Sequence, residues 1–171
     1  MTDKSLNATA AALLGLLHDG GMTGGQLMAA AQSRLGPFWT TTRSQVYREL
    51  PILAEMGYVK AGKTGPRSSQ PYTVTAAGKR AFTKYMGQPA GKDQLRNPLL
   101  LRASFGALLT KAQLRNIYDE QVEERTEILD ELKAALKEAK AEKDQFQSAT
   151  IEAAINYQKA ILKWLASAPG R

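Results

Sequence analysis

Thr42-Arg43-Ser44-Gln45-Val46-Tyr47-Arg48-Glu49-Leu50-Pro51-Ile52-Leu53-Ala54-Glu55-Met56-Gly57 decides how the rest of the chain is read. Thr42 and Gln45 have the Thr-x-x-Gln spacing in which a threonine hydroxyl caps the N3 amide and the N3 side chain reaches back, so a helix opens here. Val46, Leu50 and Leu53 fall within a narrow arc and point inward. Ser44 and Arg48 lie on the opposite arc with Glu55 further along, and Gln45 and Tyr47 flank them. Gly57 closes the helix, since glycine accepts the left-handed conformation of a C-terminal cap. Pro51 removes one backbone hydrogen bond and predicts a kink.

Upstream, Leu6, Ala10, Leu13, Leu14 and Leu17 form one apolar helical face, stopped at His18-Asp19-Gly20-Gly21. Thr23-Gly24-Gly25-Gln26 repeats the capping signature and opens a second helix lined by Leu27, Ala31 and Leu35, which Gly36-Pro37 ends. Downstream, Tyr58–Ala61 and Tyr72–Thr75 are short β-prone runs around a polar loop, residues 62–71, that holds two glycines and two prolines with Lys63 and Arg67. Thr75 caps a fourth helix carrying Ala77, Ala81, Phe82 and Tyr85. Three helices followed by a two-stranded hairpin make a winged helix-turn-helix, so the chain is expected to be mainly α with a small β-hairpin.

Gly87-Gln88-Pro89-Ala90-Gly91 breaks the periodicity. The expected domains are 1–88, the winged helix, and 92–171, a helical dimerisation domain. In the latter, Tyr118, Val122, Arg125, Leu129, Leu132, Leu136 and Ala139 step by four and three as a heptad-like seam in which only Arg125 is out of character. A polar break over Asp144–Ser148 leads to a second helix with Ile151, Ile155, Gln158, Leu162 and Leu165 at the same spacing. Two such helices fold back as a hairpin. A hairpin only two helices thick should leave seam uncovered, which favours a homodimer packed through these positions over purely intramolecular packing.

Composition excludes much. Cysteine is absent, which removes disulfides, thiolate metal sites and cysteine nucleophiles, and the single histidine, His18, builds neither a metal site nor a histidine relay. No cofactor and no metal are expected. No segment approaches the roughly 20 apolar residues of a membrane span, and nothing near the start has the frame of a signal peptide, so a cytoplasmic protein with no membrane partner is expected. Net charge is +7, unevenly placed: residues 1–90 hold 10 Lys and Arg against 4 Asp and Glu, residues 91–171 hold 13 against 12. The positive field belongs to the winged domain, and a basic domain draws polyanions, nucleic acid foremost.

The side chains suit that partner. Arg48 has the fork that recognises guanine and Gln45 the amide that pairs with adenine. Thr41, Thr42 and Tyr47 offer hydroxyls to phosphate at the positive end of the helix, with Arg43 and Ser44 beside them. Lys63, Arg67 and Ser68 sit at the hairpin tip, placed to reach backbone or minor groove. Trp39 and Trp164 read as core aromatics and His18 as a helix-end cap or surface group. A winged helix serving protein–protein interaction without specific DNA binding is the alternative. Catalysis ranks last, because no convergent reacting groups stand out.

Ala12-Leu13-Leu14-Gly15-Leu16-Leu17, Thr23-Gly24-Gly25-Gln26-Leu27, Phe38-Trp39, Ser44–Leu50 with Leu53 and Gly57, and Tyr72-Thr73-Val74-Thr75-Ala76-Ala77-Gly78 together resemble the PadR family of bacterial transcriptional regulators. Leu99-Leu100-Leu101-Arg102 with Phe105-Gly106 is similar to its subgroup with a long helical C-terminal region, related to virulence-gene activators. The resemblance implies a homodimer joined by C-terminal helices that grip the partner's N-terminal helix, which brings Leu6 to the interface. It implies binding to a near-palindromic operator in double-stranded DNA, commonly as a repressor, with release by a small-molecule effector whose identity the resemblance does not carry. Two departures stand out: Thr40, Thr41 and Thr42 occupy a stretch where relatives often have proline, and Pro51 lies within the recognition helix.

Overall fold

The computed structural model describes residues 6–65, 69–92 and 95–171, and their contacts fall into two compact units, 1–92 and 93–171. The first unit runs α1 (Ala8–Leu16), a 3-10 turn, β1 (Met22–Thr23), α2 (Gly24–Leu35), α3 (Arg43–Glu55), β2 (Val59–Ala61), β3 (Pro71–Val74) and α4 (Ala76–Met86). Asn7 caps α1, its side-chain oxygen accepting from the Ala10 amide at 2.8 Å. The helix is apolar on almost every side, as expected of one that other helices surround. Leu13, Leu14, Leu16 and Leu17 are buried with Ala10 against Leu27 and Ala31 of α2, Val46, Leu50 and Leu53 of α3, and Val59 of β2. Leu6 packs, partly buried, on this same core.

The hairpin is larger than the sequence suggests. β3 lies centrally in a three-stranded antiparallel sheet of order β1-β3-β2, with Val59 opposite Val74 and Met22 opposite Tyr72. A two-residue strand such as β1 has no alternation of its own to announce it; the edge of β3 supplies its partners. Thr75 ties the hairpin to α3 and α4 together: its hydroxyl donates to the Gly57 carbonyl at 2.7 Å and accepts from the Gly78 amide at 3.0 Å. Gly78 is obligatory here, since a Cβ would stand 2.1 Å from the Tyr58 carbonyl oxygen.

The second unit comprises α5 (Pro98–Ser104), a 3-10 turn, α6 (Lys111–Ala141) and α7 (Gln145–Leu165). Thr110 and Gln113 form a third capping box, at the start of α6, of the same Thr-x-x-Gln form as the first two. The expected break at Asp144–Ser148 is displaced: the turn occupies residues 142–144, and Asp144 caps α7 by accepting from the Gln147 amide at 2.9 Å. Gln145 to Ser148 are therefore already helical, and Ser148 is buried.

α6 and α7 return on each other as an antiparallel hairpin, spanned by the Lys140–Glu152 pair at 2.8 Å and the Arg171–Asp119 pair at 3.3 Å. Their seams mate within one chain. Leu129, Leu132, Ile151 and Ile155 are buried in one cluster with Leu136 and Leu162 at its margin, while Tyr118 and Leu165 lie in a second cluster with Val122 and Trp164 at its edge. Facing heptad stripes of one hairpin thus bury these side chains against each other within the chain. The seam's two polar residues also meet, Arg125 Nη1 donating to Gln158 Oε1 at 2.8 Å and Nη2 to Gln121 Oε1 at 3.2 Å. Among the described residues no helix is long and apolar enough to cross a membrane.

Two stability outcomes follow. Gly78→Ala forces the α4 start away from the Tyr58 carbonyl and should cost about 1–3 kcal/mol in urea unfolding; an unchanged midpoint would mean that α4 shifts freely. Leu132→Glu buries an unpaired charge in the hairpin and should cost about 3–5 kcal/mol, seen as early loss of helical circular dichroism rather than as a folded monomer.

Candidate nucleic-acid interface

α2 and α3 form the helix-turn-helix pair. Both start with complete capping boxes, Thr23 with Gln26 and Thr42 with Gln45. In the second, the Thr42 amide donates to Gln45 Oε1 at 2.8 Å and the Gln45 amide donates to Thr42 Oγ1 at 3.3 Å. The Thr42 hydroxyl also lies 3.1 Å from both Gln45 Oε1 and Ser44 Oγ. Gln45 Oε1 and the Thr42 hydroxyl are thus both used at the start of their own helix.

The remaining side chains of the outward face are accessible. Arg43, Ser44, Tyr47 and Arg48 are exposed, opposite the buried Val46, Leu50 and Leu53. Arg43 stands 5.3 Å from the centroid of the Tyr47 ring, a cation–π contact one helical turn apart. The Tyr47 ring in turn rests on the N-terminus of α2: a Cβ at Gly24 would approach its Cζ to 2.9 Å, so only glycine admits the tyrosine. The Thr41 hydroxyl is buried just before the helix and has no hydrogen-bond partner among the described residues. α3 continues through Pro51, which faces solvent.

Sequence reasoning missed Glu49. It is only 3% exposed, on the recognition helix and between exposed neighbours. Its Oε2 accepts from Asn7 Nδ2 at 3.0 Å, and its Oε1 accepts from Arg48 Nη2 at 3.1 Å and Arg48 Nε at 3.3 Å. The signal was present, since position 49 is adjacent to Leu50 and three residues from Val46, on the margin of the buried arc.

At the wing, the Gly62 amide donates to the Pro71 carbonyl at 2.7 Å and Gln70 Nε2 to the Gly62 carbonyl at 3.2 Å, which pins the base of the loop. Lys63 projects, exposed, beyond that base. Arg67 and Ser68, the other wing residues expected to meet DNA, lie outside the described residues. The two tryptophans divide: Trp164 packs edge-on against Tyr118 at 5.9 Å, but Trp39 is 36% exposed, contrary to its reading as core, and its neighbour Phe38 is 57% exposed. Their segment leaves α2 by backbone bonds to the Leu35 carbonyl, which carries both rings off the core. His18 is exposed at the end of α1, its Nδ1 2.8 Å from the Leu14 carbonyl oxygen.

Comparison with known proteins agrees with this arrangement along nearly the whole chain. Residues 13–84 match the model of the transcriptional regulator PadR-like family, and residues 95–169 match that of the virulence activator alpha C-terminal region. The negative transcriptional regulator PadR of Bacillus subtilis is 27% identical over 169 residues, spanning 91% of this chain and 92% of that protein. Its crystal structure in complex with operator DNA superposes with a TM-score of 0.78 at 23% identity, covering 94% of this chain and 96% of the other. The same protein has been crystallised with p-coumaric acid, with a TM-score of 0.70 at 22% identity over 95% of each chain. The PadR-like transcriptional regulator of Bacillus cereus superposes with a TM-score of 0.82 at 19% identity, covering 93% of this chain and 94% of the other. With a capped helix-turn-helix, a sheet-borne wing and a helical second unit, the chain belongs to the PadR-like family of transcriptional regulators.

Proposed function

We propose that this regulator binds a near-palindromic operator as a homodimer through α3 and the wing, acting in the cytoplasm as a repressor, by binding rather than catalysis. The observation that carries the reading is the outward face of α3. A basic unit exposes Arg43, Ser44, Tyr47 and Arg48 on the side opposite a fully buried apolar stripe. A recognition helix needs this division, one face for the core and one for the major groove. Lys63 adds a phosphate contact from the wing. The operator complex of the Bacillus subtilis relative supports the assignment of DNA as partner, and its p-coumaric acid complex supports release by a small organic effector.

The division of labour follows the two units, the first reading DNA and the second holding the copies together. The seam residues Tyr118, Leu129, Leu132, Ile151, Ile155 and Leu165 are consumed inside the hairpin, so we assign dimer contacts to what the second unit leaves uncovered. Leu101 and Phe105 are 61% and 60% exposed, one helical step apart, and Leu108 is 83% exposed. An apolar group of this size on an otherwise charged surface marks an interaction site, and a second copy is the occupant that a two-fold operator demands.

Fluorescence anisotropy against DNA from upstream of the chain's own gene, beside a scrambled duplex at two salt concentrations, tests the DNA reading. Tighter binding to the native fragment, weakening as salt rises, is the expected result. Equal binding to both duplexes would reduce the affinity to charge alone, and no binding at low salt would transfer the role to protein interaction. Arg48→Ala should lose about 1–3 kcal/mol of selectivity if the side chain reads a base, whereas Lys63→Ala should weaken binding to every sequence and flatten the salt slope by about one unit. For the dimer, Leu101→Glu with Phe105→Glu should yield a folded monomer by light scattering; an intact dimer would place the interface elsewhere.

A further inference from the structure

Glu49 is a carboxylate placed where carboxylates are rarely found. Its side chain is 4% exposed and sits on the helix that, on the reading above, enters DNA, whose phosphates repel it. Two donors hold it. Asn7 Nδ2 reaches one oxygen at 3.0 Å, and Arg48 reaches the other through Nη2 at 3.1 Å and Nε at 3.3 Å. Adjacent residues on a helix diverge and do not face each other, so the Arg48 side chain must fold back to make this contact while remaining 65% exposed.

The choice of nitrogen atoms matters. A guanidinium has five N–H groups in a planar fork. Glu49 engages the side edge, Nε with Nη2. The end edge, Nη1 with the second Nη2 hydrogen, keeps two parallel donors, the pair that a guanine accepts through O6 and N7. An arginine fixed in this way has lost its rotamer freedom before it meets a base, so binding spends less on ordering it. Asn7 contributes from the other side. Its oxygen caps α1 and its nitrogen holds Glu49, so one side chain joins the start of the core helix to the recognition helix.

We propose that Glu49, itself held by Asn7, is a positioning residue that presents the free edge of Arg48 to a guanine in the operator. The inference rests on the DNA-binding reading and assigns to Glu49 the specificity of that site rather than its affinity. Removing the Glu49 charge frees Arg48 to wander and takes a negative charge out of the interface, so binding becomes less selective without becoming weaker on arbitrary DNA.

The test uses the full chain and a duplex enriched by the wild-type protein from a random-sequence pool, compared with a shuffled version of it. Glu49→Gln should lose about tenfold in affinity for the enriched duplex and less than twofold for the shuffled one. In an Arg48→Ala background the same change should have no further effect on the ratio of the two. Asn7→Ser keeps a capping oxygen for α1 but loses the nitrogen donor, so it should lower selectivity about threefold, again only while Arg48 is present. In the free protein, the Arg48 Nε–H resonance should be sharp and slow to exchange in wild type and should broaden in both variants, a signature that a merely structural carboxylate would leave unmoved. Enrichment by the wild type that Glu49→Gln and Asn7→Ser retain undiminished, or a selectivity loss of the same size without Arg48, would overturn the role of Glu49 alone. Failure of the wild type to enrich any sequence would overturn the DNA-binding reading and this inference with it.

Discussion

Burial of α1 is the constraint on which the first unit depends. Leu14 is fully inaccessible, and Leu13, Leu16 and Leu17 are nearly so. Each is worth roughly 1.5–3 kcal/mol relative to exposure, and no other element could supply that burial. α2, α3 and β2 therefore arrange themselves around one apolar rod. α3 meets it through Val46, Leu50 and Leu53, and the rotation of α3 about its own axis is set by that contact. The residues that α3 turns outward are those left over, which is why the position of Arg48 is a consequence of where Val46 and Leu50 go. The Asn7–Glu49 hydrogen bond is the polar counterpart of the same contact, a tie between the first turn of the rod and the reading helix.

Capping chemistry then decides which polar groups remain for DNA. Threonine and glutamine three apart recur at the starts of α2, α3 and α6, and each pair closes on itself. A side chain that satisfies an amide at the end of its own helix has little left for a ligand. On α3 this engages Thr42 and Gln45 at the helix start, while Arg43, Ser44, Tyr47 and Arg48 stay exposed. The tyrosine is steadied from below by the bare backbone at Gly24 and from the side by Arg43.

The second unit follows a different logic. Its helices satisfy each other along their length, and their one polar interruption, Arg125 with Gln121 and Gln158, sits between two apolar clusters where it favours a single register. Because that seam is closed, Leu100, Leu101, Phe105 and Leu108, on α5 and the turn after it, stand among the apolar side chains it leaves uncovered. Leu132 is buried inside the hairpin whereas Leu101 is exposed on α5, so Leu132→Glu and Leu101→Glu have different physical consequences although both replace leucine.

The order of elements was legible in the sequence, because each is announced locally. Thr42 with Gln45 and Val46 with Leu50 and Leu53 lie within a few turns of one another, and local caps and periodicity owe little to the rest of the chain. The outward placement of Arg48 and Lys63 was legible for the same reason. Tertiary structure alone decided what depends on partners distant in sequence. β1 exists because β3 offers an edge some 50 residues later. The seams of α6 and α7 close because the turn at residues 142–144 brings them face to face. Glu49 is buried because Asn7, 42 residues away, and Arg48 beside it both donate to it. Periodicity reports which side of a helix is apolar, but whether a polar residue at the margin of that side is solvated or buried and paired depends on which donors the fold brings within about 3 Å.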